Sequence, residues 1–535
     1  MSVGGLEHEA GSGPRVFSRS ATGLVREASL RDVLAFNVNM QNVTIGVIFS
    51  LLLIPPFYPG ANIYLATLIA LVAAAPVSLV YAKLSAAYPR SGGDYVFVSR
   101  ILHPAVAFMS NFSYCVWGTF YIGVSGVFLG VYGVAPLLRV LGAYESSTRL
   151  ADAGNWFARD NGKFVMAVTV IAIFSLIFIF GGLRLYFRIQ AVNFIIASAA
   201  LAFVIVWALL SSRGAALGHL DDQIRNLGGK PMSPLANGAG SDDFSLRQTI
   251  YAAIWPWLAF NSAIYSTYMG GEVKRADRTQ VAGIMGALAW AGVWTMAATW
   301  AMLHLFGNTF WANLGNADPA VYNLSTTPTF GEVSGYAVGN VVVAFLVLFG
   351  FMLWSYVWIA PYTVLVTRSM LAWSLDRLAP AKLAEVSERY HSPVTALIVI
   401  FGLGVVTSAF YAYGKLSVLS GTVGITASMI VVAIAGVAFP YTNREAWQSS
   451  PAAGRTFGIP TITLVGLAAL PLLALIEWAL LEDVGSGTSI DGNPRILEYT
   501  IGIFLIGLPI YYAIRAFQRG RGVNVDLAYK EIPPE

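Results

Sequence analysis

Residues 36–54 read FNVNMQNVTIGVIFSLLLI, and this stretch decides the fold. It is long enough to cross a bilayer, yet its first half carries three asparagines, a glutamine and a threonine before Gly46. A polar group left unpaired in hydrocarbon costs several kcal/mol, so a plain helix facing lipid is excluded. The pattern predicts a membrane span that opens around these side chains to face a cavity. The alternative is that the amides hold neighbouring helices together, at roughly 0.6 to 2 kcal/mol each.

Composition places the whole chain in the membrane. Of its 535 residues 56% are hydrophobic and 11% are charged, whereas soluble domains carry about 25% charge. A pI near 8.9 reflects basic loops rather than a nucleic-acid-binding face. We therefore predict an all-α integral membrane protein with about twelve transmembrane helices. Apolar windows of about 20 residues predict these helices near residues 33–54, 61–82, 104–138, 164–182, 189–211, 248–270, 280–306, 335–366, 394–412, 416–440, 457–480 and 498–514.

The distribution of basic residues predicts the orientation. If the spans alternate, about two-thirds of the 32 Lys and Arg residues lie on the side of the N-terminus. We therefore expect a multi-pass protein of the cell membrane with both termini in the cytoplasm. The predicted division is a cytoplasmic tail (1–28), a first five-helix repeat (29–212), an extracellular loop (213–247), a second five-helix repeat (248–440), two peripheral helices (441–514) and a cytoplasmic tail (515–535).

A second interrupted span supports the division into repeats. The sixth window contains Trp255-Pro256-Trp257 and then a run of Asn, Ser, Thr and Tyr that ends at Gly270. It follows the first interrupted span by five spans. Paired interruptions at matching positions of two halves are typical of transporters built from inverted repeats, with the binding site at the breaks. We therefore pair spans one to five with spans six to ten.

The central parts of the spans contain no Asp, Glu, Lys or Arg. Chemistry there must come from backbone groups, amides, hydroxyls and aromatic rings. The N-terminus of a half-helix suits a carboxylate, and opened carbonyls suit an ammonium group or a small cation. Such a site predicts a zwitterionic ligand. Ser355 in the eighth span is a candidate sodium ligand, with packing against a helix as the other interpretation.

Enzyme chemistry has no sequence support. H-E-x-x-H, P-loop, G-x-S-x-G and C-x-x-C motifs are absent, and Cys115 is the only cysteine. We expect no enzyme activity, no cofactor and no protein-bound metal other than a coupling ion, either H⁺ or Na⁺. The segment 83–104 is predicted to be a reentrant or surface loop, because it is too rich in glycine for a regular helix.

Three segments carry a family resemblance. They are AKLSAAYPRSGGDY at 82–95, GEVKR at 271–275, and RSMLAWSLDRLAP at 368–380 followed by SPV at 392–394. Together with the opening span they resemble, at consistent spacing, the amino acid/polyamine/organocation family of permeases. The resemblance implies inner-face motif or gating roles for Pro89, Arg90, Gly92, Gly93, Tyr95, Glu272, Arg368 and Asp376. For Glu272, a structural salt bridge with loop arginines or lysines is the alternative interpretation.

The resemblance also implies a fold and a substrate site. The expected fold is a five-plus-five inverted repeat of the LeuT type with helices one and six unwound. The unwound and substrate-binding residues would be Asn42, Val43, Thr44, Ile45 and Gly46 in the first helix and Phe260, Asn261, Ser262, Ala263 and Ile264 in the sixth. The chain departs from the family pattern in having one glycine in the first helix, no G-F-[ED] in the sixth, and no lysine near Ser198 in the fifth.

We therefore expect a secondary active permease that moves amino acids, of the neutral or zwitterionic class, by alternating access. Its partners would be the amino acid and membrane lipid, with no nucleic acid, and the sequence identifies no protein partner. Two alternatives stay open. The same fold can carry a polyamine, another amine or a nucleobase, or the protein can be a polytopic receptor or channel that transports by no alternating path.

Overall fold

Helices make up nearly all regular structure in the computed structural model, which describes residues 26–238, 243–387 and 392–529. Two π-helical turns (129–134 and 177–181) and several short 3-10 segments, including 261–268, interrupt or join the helices. A two-stranded antiparallel sheet pairs β1 (Arg455–Thr456) with β2 (Ile459–Pro460). The α-helices are α1 (Leu30–Gln41), α2 (Val43–Phe57), α3 (Ile63–Ala87), α4 (Asp94–Ile101), α5 (Pro104–Phe128), α6 (Ala135–Tyr144), α7 (Thr148–Phe157), α8 (Asp160–Leu176), α9 (Gly182–Leu210), α10 (Arg213–Asn226), α11 (Leu246–Ala252), α12 (Ile254–Phe260), α13 (Ala276–Phe306), α14 (Asn308–Asn316), α15 (Phe330–Ala337), α16 (Val341–Ser355), α17 (Ile359–Leu375), α18 (Val394–Ala412), α19 (Val418–Thr442), α20 (Arg444–Gln448), α21 (Thr461–Glu482) and α22 (Arg495–Gly520).

Ten helical stretches within the described ranges are long and apolar enough to cross a membrane. This agrees with the predicted all-α membrane fold. The ten stretches are two fewer than the predicted twelve spans, for two reasons. The fourth and fifth predicted spans form one stretch of 51 residues, Asp160–Leu210. At 1.5 Å per residue it is about 76 Å long, enough for two crossings. Gly182 lies within it at φ 58° and lets the chain turn there.

The sixth predicted span is the other difference. It is divided into α11, α12 and the 3-10 segment 261–268, so no single helix reaches the length needed for a crossing. Pro256 lies near the start of α12, where its missing N–H costs little. The interruption predicted in this span is therefore present as a change of helix type rather than as an unwound stretch.

Local signals fix the start of the first span. Ser29 and Asp32 form a capping box, in which the Ser29 hydroxyl accepts from the Asp32 N–H and the Asp32 carboxylate accepts from the Ser29 N–H. The sequence pattern S-x-x-D predicts this start correctly. After the turn that follows the first span, Asn62 caps α3, which is the second span. Its side chain accepts hydrogen bonds from the N–H groups of Tyr64 and Leu65.

The first span is buried among several helices. α1 packs against α9, α13 and the 3-10 segment 261–268, while α2 packs against α12 and α14. α5 is the other central helix, with α8, α17, α18, α19 and α22 around it. The two interrupted spans therefore lie side by side in the interior of the bundle.

The prediction of an irregular loop over 83–104 is wrong except at 88–93 and 102–103, because α3 continues to Ala87. Asp94–Ile101 forms α4, and seven of its eight residues are buried. The two preceding glycines adopt positive φ, 109° at Gly92 and 53° at Gly93, so the chain turns sharply and the helix starts at once. The α4 helix packs against α5 and α19.

The predicted loop at 213–247 is partly helical, and parts of both predicted tails lie outside the described residues. The loop predicted at 213–247 contains α10 and the 3-10 segment 233–236, so much of it is ordered helix. Residues 1–25 of the predicted N-terminal tail and 530–535 of the C-terminal tail lie outside the described residues.

Candidate functional site

The first span is interrupted at a single residue. Asn42 adopts a left-handed conformation, φ 47° and ψ 67°, while α1 ends at Gln41 and α2 begins at Val43. Asparagine tolerates this conformation better than most residues other than glycine. The break is therefore narrower than the predicted stretch 42–46, since Val43, Thr44, Ile45 and Gly46 already belong to α2.

The Asn42 side chain fixes the break on both sides. Its Oδ1 accepts from the Ile45 N–H at 3.3 Å and caps α2, and its Nδ2 donates to the Trp354 carbonyl at 3.0 Å. Trp358 donates from its indole Nε1 to the Met40 carbonyl at 2.7 Å. The eighth span therefore supports the carbonyl end of α1 and the amide of Asn42 together.

Other amides of the first span join helices. The Asn37 Nδ2 donates to the Ser266 Oγ and its Oδ1 accepts from the Ser266 N–H, both at 2.9 Å. Gln280 completes this link by accepting from the same hydroxyl at 2.7 Å. The Asn39 Oδ1 accepts from the Trp354 indole at 2.9 Å. For Asn37 and Asn39 the structure therefore favours the alternative interpretation, in which the amides hold helices together.

Free polar atoms remain at the break. The Gln41 Oε1 and the Thr44 Oγ1 are buried without a hydrogen-bond partner among the described residues. Thr267 Oγ1 on the sixth span is in the same state. Buried polar atoms normally find partners, and two of these unpaired oxygens, those of Gln41 and Thr44, belong to residues on either side of the break at Asn42.

The two interrupted spans approach closely next to these atoms. A Cβ added at Gly46 would lie 3.1 Å from the Ala259 Cβ, so the glycine permits α2 and α12 to come together. Asn261 and Ser262 follow in the 3-10 segment, where the Ser262 Oγ donates to the Asn261 Oδ1 at 2.9 Å. The structure therefore brings the predicted residues 42–46 and 260–264 to one buried region. Phe260 ends α12, while Asn261, Ser262, Ala263 and Ile264 lie in the tighter 3-10 turn rather than in an unwound segment.

Aromatic side chains of the third and eighth spans enclose this region. Phe128 lies 5.1 Å from Trp358 between ring centroids, and Tyr121 stacks on Tyr362 at 4.9 Å. The sequence analysis missed Trp354 and Trp358. The sequence feature that could have indicated them is the presence of two tryptophans close to Ser355 in an apolar span. The Ser355 hydroxyl itself donates to the Phe351 carbonyl at 3.0 Å, an arrangement that both the packing and the sodium-ligand interpretation allow.

The predicted inner-face residues meet at one end of the bundle, which we call the motif end and define by Pro89–Tyr95, Glu272, Arg368 and Asp376. Arg368 forms a buried two-pronged ion pair with Glu272, with distances of 2.8 Å from Nε and 3.0 Å from Nη2. This bears out the salt-bridge interpretation of Glu272, with its partner on the eighth span. Bidentate geometry makes such a pair directional as well as strong.

A second ion pair lies beside the first. Asp376 accepts from the Tyr95 hydroxyl at 2.8 Å and pairs with Arg100 at 3.1 Å. The sequence analysis missed Arg100. It lies one helical turn and a half beyond Tyr95 on α4, in the segment that was predicted as a loop.

The glycine pair of the first motif fits between helices of the motif end. A Cβ at Gly92 would lie 2.6 Å from the Ala372 Cβ, and one at Gly93 would lie 2.6 Å from the Tyr268 ring. The Arg90 backbone packs against Gly270, where a Cβ would come within 2.8 Å of the Arg90 carbonyl oxygen. Pro89 precedes this turn and accepts from the Arg90 guanidinium at 3.1 Å. The motif therefore joins the second, sixth and eighth spans.

The family comparison covers all of these features. Residues 38–504 match the amino acid permease family, a range that includes both interruptions and all three motifs. The chain belongs to the amino acid permease family. This permease is thus a transporter of the amino acid/polyamine/organocation superfamily, built from apolar membrane-crossing helices, and not a member of an enzyme family.

The opposite end of the permease holds a third buried ion pair. Arg139 donates to the Glu332 Oε2 at 2.7 Å, and the Tyr336 hydroxyl donates to the Glu332 Oε1 at 3.1 Å. Buried ion pairs therefore lie at both ends of the bundle, whereas amides, hydroxyls and aromatic rings surround the two interruptions. No group of three or more His, Cys, Asp or Glu residues that could hold a metal ion occurs within the described ranges.

Proposed function

We propose that this permease moves neutral, zwitterionic amino acids across the cell membrane by alternating access. The observation that carries the proposal is the contact between the break at Asn42 and the 3-10 segment 261–268, in a buried region without a charged side chain. The N-terminus of α2 suits the carboxylate of an amino acid. Unpaired oxygens at Gln41 and Thr44 suit its ammonium group.

Charge balance supports a substrate with no net charge. A substrate with a single charge would need an opposite charge close by, because an unpaired charge in a dry site is costly. The buried ion pairs Arg139–Glu332, Arg368–Glu272 and Arg100–Asp376 hold their charges at the two ends. A zwitterion brings both charges itself and can be held by helix ends and neutral side chains.

The five-plus-five architecture with twelve spans is part of the proposal. Two pairs of irregular spans support it, since the first and sixth spans are both interrupted, and the third and eighth spans both lose regular α-helix. The third has the π-turn 129–134, and the eighth breaks between Ser355 and Ile359. Matching irregularities five spans apart are expected of an inverted repeat. We place the motif end and both termini in the cytoplasm, as the basic loops indicate.

The other candidate functions have less support. A polyamine site would need carboxylates facing the break, and neither residues 42–46 nor residues 260–264 include an acid. A receptor or channel has no need of ion pairs that close the motif end of the bundle. The coupling ion stays open between H⁺ and Na⁺.

Substrate competition tests the proposal. The full-length permease is reconstituted in proteoliposomes preloaded with unlabelled neutral amino acids, and exchange of a labelled neutral amino acid is measured. An excess of neutral amino acids should abolish the exchange, while arginine, glutamate and a polyamine should inhibit it weakly. Stronger competition by arginine, glutamate or the polyamine would overturn the zwitterion assignment.

A further inference from the structure

Asp94 is a buried acid without a cationic partner. It is 1% exposed, its Oδ1 accepts from the Asn111 Nδ2 at 2.7 Å and from the Tyr95 N–H at 2.9 Å, and its Oδ2 accepts no hydrogen bond. Asp94 forms no ion pair with any residue that the structure describes. The other two buried acids of the motif end, Glu272 and Asp376, each face an arginine.

The groups around Asp94 are neutral at ordinary pH. Its helix packs against α3, α5, α17 and α19 and lies beside the end of the sixth span. The titratable groups that face the carboxylate from these elements are Tyr81 of α3, Tyr114 and Cys115 of α5, and Tyr268 of the 3-10 segment. On α17 the nearest charged residues, Arg368 and Asp376, are paired as described above, as is Arg100 on α4 itself, and the buried side of α19 carries no charged residue.

Asp94 lies at the contact between residues 91–94 and residues 268–269. We call this contact the seam. The Gly92 N–H donates to the Tyr268 carbonyl at 3.1 Å, and Ser91 pairs with Met269 as an isolated β-bridge. The Tyr268 ring lies against Gly93, with its hydroxyl facing the Asp94 carboxylate. Separation of the seam would remove this cover and bring water to the carboxylate.

We propose that Asp94 is a proton-binding site that couples protonation to the opening of the motif end. In acid, the closed seam holds the carboxyl in its protonated, uncharged form. When residues 268–269 leave the seam, water reaches the carboxyl and takes its proton, and the resulting carboxylate resists burial until it is protonated again. This inference rests on the proposed transport function and adds to it the proton as a bound ligand.

The sign of the pH dependence follows from burial. Burial raises the pKa of Asp94 from its ordinary value of 3.8 to about 6 in the closed arrangement, while the facing Tyr268 hydroxyl and the Asn111 amide act in the opposite direction. The closed seam therefore binds the proton more tightly than the open one. Acid favours the closed seam: the equilibrium shifts toward the open seam as the pH rises from 3.8 to about 6, by about 100-fold in total, and it levels off above about 6.

Cys115, the only cysteine of the chain, is a native reporter of the seam. It is buried, and its Sγ lies 3.8 Å from the Oδ1 of Asn111, the residue that holds Asp94. The experiment measures the rate of Cys115 alkylation by N-ethylmaleimide in full-length permease in proteoliposomes, from about pH 5 to about pH 8. Wild type and Asp94→Asn are compared at each pH. A negative charge at Asp94 disfavours the nearby Cys115 thiolate and slows wild-type alkylation, so thiol ionisation acts against the expected rise and cannot produce it.

Asparagine imitates the protonated carboxyl and keeps an oxygen for Asn111 and Tyr95. We expect the ratio of wild-type to Asp94→Asn alkylation rates to rise about tenfold from about pH 5 and to level off above about pH 7. A ratio that stays constant across the range would overturn the proposal. The Tyr268→Phe variant gives a second readout, because loss of the hydroxyl that faces the carboxylate should move the midpoint to higher pH. An unchanged midpoint in Tyr268→Phe would also overturn the proposal, whether or not Asp94→Asn folds.

The same proteoliposomes separate this inference from the proposed function. Exchange of a labelled neutral amino acid is measured alongside alkylation. Absence of exchange together with the expected alkylation profile would refute the amino acid assignment and support the proton site. Intact exchange together with identical profiles in wild type and Asp94→Asn would support the permease function and refute the proton site.

Discussion

Asn42 and Asn261 are both buried asparagines of interrupted spans, but their contacts differ. Asn42 holds a left-handed backbone, caps α2 and binds the Trp354 carbonyl on another span. The one side-chain hydrogen bond seen at Asn261 comes from the adjacent residue, Ser262. Asn42 is therefore needed for the shape of the site, whereas the amide of Asn261 is free to meet a substrate.

The difference in contacts predicts that leucine substitutions at the two asparagines have different effects on transport and stability. Asn261→Leu should raise KM for a neutral amino acid about tenfold or more, with an unchanged melting temperature, because no link between helices is lost. Asn42→Leu should abolish uptake and also lower stability by about 1–3 kcal/mol, because a cap and an interhelical bond are lost. Uptake kinetics and thermal unfolding measure both effects, with Asn42→Gly as the control that keeps the left-handed backbone. Wild-type kinetics in both leucine variants would mean that the interruptions serve packing alone.

The residue types of the first span predicted that its amides are buried, but they did not predict which residues the amides bind. The sequence predicts that the amides of residues 37–44 cannot face lipid, and the structure places all of them in the interior. The partner of Asn37 is 229 residues away in the chain, and the indole that binds Asn39 is 315 residues away. Whether an amide joins helices or faces a cavity therefore depends on the packing of spans that a local pattern does not specify.

At the scale of elements, the ion pair between Glu272 and Arg368 joins the end of the sixth span to the eighth. Removal of one partner leaves a buried charge, whereas removal of both does not. We predict that Glu272→Gln and Arg368→Met each destabilise the protein strongly and that the double variant recovers part of the loss, with a coupling energy of about 1–3 kcal/mol in a double-mutant cycle. Additive effects on thermal unfolding would show that the two side chains act independently.

Glycine at position 93 permits a second junction. A Cβ there would lie 2.6 Å from the Tyr268 ring, and the φ of 53° is strained for a residue with a side chain. We predict that Gly93→Ala separates α4 from the sixth span and speeds the alkylation of Cys115. Gly402→Ala is the matched control, because nothing lies within 4 Å of a Cβ at that helical position. Equal alkylation rates in the two variants would contradict a tight seam.

The same junction shows where element prediction failed. Gly92 and Gly93 led to an expected loop, since consecutive glycines usually end regular structure. Their positive φ values instead turn the chain into α4, whose side chains are buried by α5 and α19. Burial of an eight-residue helix depends on neighbours distant in sequence, so the periodic pattern of so short a segment does not reveal it.

At the scale of the molecule, hydropathy predicted the membrane fold well but not its count of continuous helices. Hydropathy separates the fourth and fifth spans, which the structure joins around Gly182, and it treats the sixth as one span although α11, α12 and the 3-10 segment divide it. Composition within a window measures apolar character, whereas a turn or a change of helix type depends on single backbone conformations. The region of the candidate site could be predicted from the sequence because interrupted spans contain polar residues within apolar windows.

The C-terminal segment also belongs to the closed motif end. Arg100 donates to the Ala528 carbonyl at 3.4 Å, and the Tyr529 hydroxyl lies 3.3 Å from that of Tyr95. Residues 525–529 thus cover the ion pair between Arg100 and Asp376. Closure of this end therefore involves α4, the residues after α17 and the C-terminal segment 525–529.

The measurement that tests the account most directly is uptake of a labelled neutral amino acid by the full-length permease in proteoliposomes, under an imposed proton gradient, a sodium gradient, or neither. Transport by the site between the two interrupted spans, with a proton site at Asp94, predicts accumulation driven by the proton gradient and little response to sodium. Protein-free liposomes and the Asn261→Leu variant are the controls. Absence of uptake under every condition, by protein whose thermal unfolding shows that it is folded, would contradict the account.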